Sequence, residues 1–211
     1  GTVCVATFNT ALSRDEPGAL RDAMRSGDDS QAKLVAEVLQ RTRPDIVLLQ
    51  EVDYDPTGET YVAFQQNYLG VPQNGAEPIA YAYRYAPEVN TGVSTGVDLN
   101  GDDKVAVPHD AHGWGNYPGH YGMVVLSKYP IDEDAVHAFR LQRWTDVHAG
   151  TLFGFNYYSE PALQTLRLSS KTHANAPVRL PDGQPLHLLI SHPTPPVFDG
   201  PEDRNGYRNE G

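Results

Sequence analysis

The sequence predicts an α/β fold with a parallel region near its start, and three stretches carry that expectation. Residues 2–9, TVCVATFN, alternate, with Val3, Val5, Thr7 and Asn9 on one face and Cys4, Ala6 and Phe8 on the other, and β-branched residues dominate. Residues 30–42, SQAKLVAEVLQRT, put Leu34, Val35, Val38 and Leu39 at helical spacing. Residues 45–52, DIVLLQEV, are a continuous apolar run with a polar end. Strand, helix and strand in that order form a right-handed βαβ unit.

Each element has signals at its ends. Asp28, Asp29 or Ser30 can cap the helix, while Arg41 and Arg43 suit its negative end and Pro44 stops it. Residues 53–120 hold aromatic and turn residues with little periodicity. Within them 65–70 closes a second helix, 81–85 reads as a strand, and 90–120 is a long Gly-rich loop of the kind that is functional or held by something specific. Residues 121–128, YGMVVLSK, form another apolar strand, ended by Tyr129-Pro130. Trp144, Phe153 and Phe155 are core anchors in the ambiguous stretch 132–160. Short strands are expected at 166–171 and 177–180. Asp182-Gly183 marks a hairpin turn before the strand 186–192, LHLLISH. The segment 193–211 carries few large apolar groups and is expected to be an extended or mobile tail.

Composition narrows the function. A chain of 211 residues with 39% hydrophobic and 20% charged residues suits a single packed domain rather than disorder. The 19 glycines and 17 prolines exceed the roughly 12% average for the two together, which implies long loops. A net charge of −11 disfavours nucleic acid held by bulk charge, because that mode needs Lys and Arg to replace counterions. No apolar run approaches the roughly 18 residues of a membrane span. The single cysteine, Cys4, allows neither an internal disulfide nor a Cys-built zinc site. The chain starts at Gly1 without Met or signal peptide, as expected of a trimmed or processed product.

Three apolar strands end in chemically useful groups: Asn9, Gln50-Glu51 and Ser191-His192. In α/β folds the carboxyl ends of strands are where ligands and catalytic groups gather. A carboxylate suits Mg²⁺, an amide can orient it, and an imidazole can bond a phosphoryl oxygen or handle a proton. Together these groups describe metal-assisted phosphoester hydrolysis. The competing reading is that strand ends are polar because they meet solvent.

The blocks ATFNTAL (6–12), RPDIVLLQEVD (43–53), YGMVVLSKYPI (121–131) and LLISHPTPPVFDGPEDRNGYRN (188–209) resemble the endonuclease/exonuclease/phosphatase superfamily, in an often exported bacterial branch. The resemblance implies two packed β-sheets flanked by helices, a four-layer α/β sandwich. It implies a divalent-metal-dependent phosphoester hydrolase of phosphatase, phosphodiesterase or nuclease type, acting with Mg²⁺ or Mn²⁺ on a phosphate-ester substrate. It implies Glu51 and Asn9 at the metal, His192 and Asn9 as catalytic groups, with His192 helping to neutralise phosphoryl charge, and Lys171 as a substrate contact. A secreted or cell-surface location in a bacterium follows from the same branch.

The family's GDxN block and its final Asp-His pair do not occur in the sequence. The expectation is therefore a fold incomplete at its C-terminus, inactive by itself, with the strand 186–192 left open to self-association. The alternative is a degenerate, non-catalytic homologue that acts as a binding module. Weaker candidates lie in the Gly-rich loop. Asp98, Asn100 and Asp102 imitate the opening of a Ca²⁺ loop, but Asp103 stands where Gly is needed and His109 where a bidentate Glu is needed, so a solvated turn is the better reading. His109 and His112 could offer two nitrogens to zinc, with no third ligand at suitable spacing. Tyr81, Tyr83 and Tyr85 could stack bases, though a half-exposed strand face explains them better.

Overall fold

The computed structural model describes residues 1–147, 157–198 and 200–209. Two sheets pack face to face, and helices cover the outer face of the first. The expected anchors Phe153 and Phe155 lie outside the described residues.

The first sheet has the order β1-β2-β4-β3. β1 (Val5–Asn9) and β2 (Ile46–Gln50) are parallel, with Asn9 opposite Gln50. β4 (Met123–Ser127) runs antiparallel to β2 and β3 (Tyr83–Tyr85) antiparallel to β4. Between β1 and β2 lie α1 (Ala19–Ser26) and α2 (Ser30–Thr42). The expected βαβ unit therefore forms, with one more helix than the sequence signals. α1 escapes a periodicity reading because only Leu20 and Met24 are buried and glycines flank it, both with positive φ. α2 has its expected bounds, and Asp29 caps it by accepting from the Ala32 amide at 2.8 Å. Its buried stripe differs from the expected one. Ala32, Val35, Ala36 and Leu39 face inward, while Leu34 and Val38 are exposed. Spacing of i, i+3, i+4, i+7 selects the inner face, and small alanines let the helix approach the sheet.

Period-two alternation in β2 and β4 divides the core. Val47, Leu49, Val124 and Leu126 face α1, α2 and α3 (Glu59–Phe64), where they join Leu20, Met24, Leu39 and Phe64. Ile46, Met123 and Val125 face the other way, against Ala174, Val178 and Ile190 of the second sheet. That sheet has the order β5-β6-β7, from β5 (His137–Ala138), β6 (His173–Arg179) and β7 (Pro185–Ser191), all antiparallel. The hairpin turns at Gly183, whose φ is 83°. Among the described residues β7 is an edge strand, and Leu189 on its outer face is 82% exposed.

Several local expectations are corrected. The helix that 65–70 closes, as expected, starts at Glu59, and what differs is that its last turn, Gln65–Leu69, is π-helical. Residues 166–171 form no strand. Apart from the Arg143–Arg167 bridge their amides serve loops, such as Leu168 N–H to the Gln142 carbonyl at 2.9 Å. The segment 193–211 is not extended throughout, because Arg204–Asn209 form helix α6. Arg208 ties that helix down by donating to the carbonyls of Leu168, His112 and Arg167. A polar anchor of this kind has no apolar signature. Two short helices, α4 (Trp144–Val147) and α5 (Glu160–Thr165), place Trp144 in a small cluster with Leu99, Ala162 and Leu166, so this expected anchor is buried.

The long loop is held by buried polar side chains. Asn90, with no exposed surface, donates to the Arg140 and Ser169 carbonyls. Asp110 accepts from the amides of Leu99 and Ala106. Gly113 lets the loop lie against the start of the second sheet, since a Cβ there would sit 2.0 Å from the Ser170 carbonyl oxygen. Gly113→Ala is expected to cost about 1–3 kcal/mol by overpacking. Urea denaturation measures it, and a stability equal to wild type would contradict this packing.

Candidate active site

The polar strand ends converge at one edge of the two-sheet stack. Glu51 directly follows β2 with φ 59°, a left-handed conformation uncommon for a residue with a side chain. Asn9, at the end of β1, donates from Nδ2 to Glu51 Oε1 at 3.0 Å. Its own Oδ1 accepts from the Ala11 amide at 3.1 Å, so both ends of this amide are fixed. Gln50 is occupied in the scaffold. Its side-chain oxygen accepts from Thr7, and its carbonyl accepts from the Thr10 amide and hydroxyl.

The second sheet supplies two more groups. His192 follows β7 and puts Nε2 3.9 Å from Glu51 Oε1, longer than a hydrogen bond. Its Nδ1 is buried without a hydrogen-bond partner among the described residues. Burial, then the charge of Lys171, pushes the His192 pKa down to about 4, so the ring is neutral at pH 7. In this state the implied role falls to a ring N–H that can bond a phosphoryl oxygen. A neutral imidazole contributes one N–H and no charge. Lys171 precedes β6 and is 7% exposed. Burial pushes its pKa down to about 8, against the pull of the Glu51 carboxylate. Lys171 is thus the cation of this group at neutral pH, and Asn9, Glu51, Lys171 and His192 share one place.

The other candidates do not join them. The Asp98 carboxylate accepts from the amides of Asn100, Gly101, Asp102 and Asp103, which closes a self-contained turn. His109 meets the edge of Trp114, His112 is buried beside Arg167, Arg208 and Arg140, and His120 is stacked between Tyr117 and Tyr121. Among the described residues no group of three His, Cys, Asp or Glu side chains is placed to share a metal ion. Tyr81 is buried with its hydroxyl on the Pro44 carbonyl, so it shares no exposed face with Tyr83.

Sequence reasoning missed two features of the site. One is the stack of His120 against Tyr121, with centroids 3.7 Å apart, at the entry to β4. Burial holds the His120 pKa down, opposed by Asp53, Asp15 and Glu51. The other is Asp53, buried two residues after Glu51. His120 closes the Gly-rich loop and Asp53 ends the block 43–53, and neither position carries a periodic signal of its own.

A profile described as "Endonuclease/Exonuclease/phosphatase family" matches residues 6–207, and the chain belongs to that family. Two solved structures are similar to it. One is an endonuclease/exonuclease/phosphatase from Beutenbergia cavernae DSM 12333, 20% identical, with a TM-score of 0.44, covering 92% of this chain and 38% of that one. The other is an endonuclease/exonuclease/phosphatase family protein from Leptotrichia buccalis C-1013-b, 11% identical, with a TM-score of 0.43, covering 100% of this chain and 63% of that one. The chain thus spans less than two thirds of the length of either. No curated protein matches it.

The lowered Lys171 pKa has a defined consequence for stability. Between pH 8 and 10.5 the unfolded chain binds a proton at this site that the folded chain does not, so the group's contribution rises with pH across that window. Below pH 8 the cost of burying the charge is present in full. Lys171→Met is therefore expected to stabilise the fold by about 2 kcal/mol at pH 7, a gain that shrinks toward pH 10.5. Urea titrations at pH 7 and pH 10 check the sign. A variant less stable than wild type at pH 7 would contradict the buried-cation account.

Proposed function

We propose that this chain carries the site of a divalent-metal-dependent phosphoester hydrolase of phosphatase, phosphodiesterase or nuclease type. Membership of the family supports hydrolysis of phosphoesters. The observation that carries the reading is the meeting of Glu51, oriented by Asn9, with Lys171 and His192 from the other sheet.

The donor set fits a hard divalent ion. Glu51 is partly exposed, Asn9 fixes its Oε1, and its Oε2 has no hydrogen-bond partner among the described residues. Mg²⁺ or Mn²⁺ is content with one or two protein carboxylates, completed by water and substrate phosphate. Glu51 would hold the ion, with Asn9 as its orienting neighbour. When bound, such an ion polarises a phosphoryl oxygen and adds positive charge.

The chain's own residues then divide the work. Lys171 attracts the phosphoryl oxygens with a charge it retains below pH 8, and the buried setting strengthens that attraction. His192, neutral and partly buried, donates one N–H to an oxygen that gains charge in the transition state. The net charge of −11 favours a small phosphate ester or a lipid head group over long nucleic acid.

Two measurements test the reading. Calorimetric titration with Mn²⁺ is expected to show at least tenfold weaker binding for Glu51→Gln, and equal binding would remove Glu51 from the metal site. In the protein that carries this chain, His192→Gln is expected to lower kcat on bis-p-nitrophenyl phosphate by about 10²–10³ with little change in KM or Tm. Activity and stability falling together would make His192 a packing residue.

A further inference from the structure

We propose that Asp53 is the positioning residue that holds Glu51 in its working conformation. The inference rests on the metal-site reading for what Glu51 does, and on geometry alone for how Asp53 acts.

Three segments surround Glu51 at this edge of the first sheet, and each contains a non-glycine residue with left-handed backbone. They are Ala11 after β1 (φ 50°), Glu51 after β2 (φ 59°) and Tyr121 before β4 (φ 54°). Such conformations are unfavourable for residues with a side chain and persist only where the surroundings over-determine them. The Asn9 side chain accounts for Ala11, whose amide it accepts. Asp53 ties the rest together. Its Oδ1 accepts from the Tyr121 amide at 3.1 Å and its Oδ2 from the Arg14 amide at 2.9 Å.

This carboxylate is 7% exposed, and both of these partners are main-chain amides on other segments. The chain around it is pinned as well. The Val52 amide donates to the Gly122 carbonyl, the Tyr54 amide to Gly119, and the Tyr61 hydroxyl to the Asp53 carbonyl. Gly122 permits the approach, since a Cβ there would lie 2.7 Å from the Val52 carbonyl oxygen. Asp53 touches none of Asn9, Lys171 and His192 in any hydrogen bond or ion pair given by the structure. It therefore acts through the backbone, by fixing the two segments against which residue 51 must turn.

An acceptor-only group is required. A carboxylate presents an oxygen to each amide, whereas an asparagine must turn an NH₂ toward one of them. Asp53→Asn thus keeps the volume and breaks one clamp. The backbone at Glu51 is then free to relax toward the extended region, which carries its carboxylate away from Asn9 and His192.

A double-mutant cycle tests this in the folded protein. Asp53→Asn is expected to weaken Mn²⁺ binding about tenfold in the wild-type background and to leave it unchanged in a Glu51→Gln background, because its effect runs through Glu51. Equal weakening in both backgrounds overturns the proposal. A second readout needs no metal. The ¹⁵N resonances of the His192 ring, 3.9 Å from Glu51 Oε1, are expected to move in the same direction in Asp53→Asn and in Glu51→Gln. If Glu51→Gln leaves Mn²⁺ affinity intact while the two variants still move His192 together, the metal reading fails and the positioning role stands. If Asp53→Asn leaves the His192 resonances in place, or does not fold, Asp53 is not a positioning residue for Glu51.

Discussion

The apolar seam between the two sheets is the contact on which the site depends. Ile46, Met123 and Val125 meet Ala174, Val178 and Ile190 across it. Alternation puts these side chains on one face of each strand, and the strands then end together at one edge. Ala174 and Ala176 keep the second sheet's inner face shallow, and both are buried. The sheets can therefore approach closely enough for the group after β2 and the group after β7 to stand 3.9 Å apart. No local sequence feature could bring Glu51 and His192 together, because 140 positions separate them; the seam does.

What the seam assembles is unfavourable by itself. It buries Lys171 beside a histidine that burial keeps neutral, and the charge that favours the lysine's cation is the partly exposed Glu51. Glu51 itself is left-handed, and so are Ala11 and Tyr121 on the two segments beside it. A fold optimised only for stability would replace the lysine by an apolar group and the left-handed residues by glycine. Strain and buried charge gathered at one edge are what a preorganised site for an anion looks like, since donors already in place need no reorganisation when charge develops.

Much of this was legible in the sequence, for physical reasons that differ by element. The βαβ unit was readable because β1, α2 and β2 carry clean period-two and helical patterns. Asn9, Glu51 and His192 stood out because each ends an apolar run, and the structure brings them together. Lys171 also lies at the site, although the strand expected around it is a loop. The remainder was hidden because polar contacts organise it. Asn90 and Asp110 fold the long loop through main-chain bonds, Arg208 secures α6 through carbonyls, and Asp53 acts through two amides. Such residues leave no periodic trace, and each could equally be a solvated surface group in the sequence. The inner face of α2 was misassigned for a related reason. Leu34 and Val38 are as apolar as the buried Val35 and Leu39, and only the sheet decides which pair faces inward.

Glu51 and Lys171, from different sheets, act on each other within one site. NMR titration of the Lys171 side chain, labelled at the ε position, measures that directly in wild type and in Glu51→Gln. The account predicts a midpoint near 8 in wild type that falls further in the variant, because the carboxylate favours the charged lysine. A midpoint at the ordinary lysine value, or one that Glu51→Gln does not move, would contradict it.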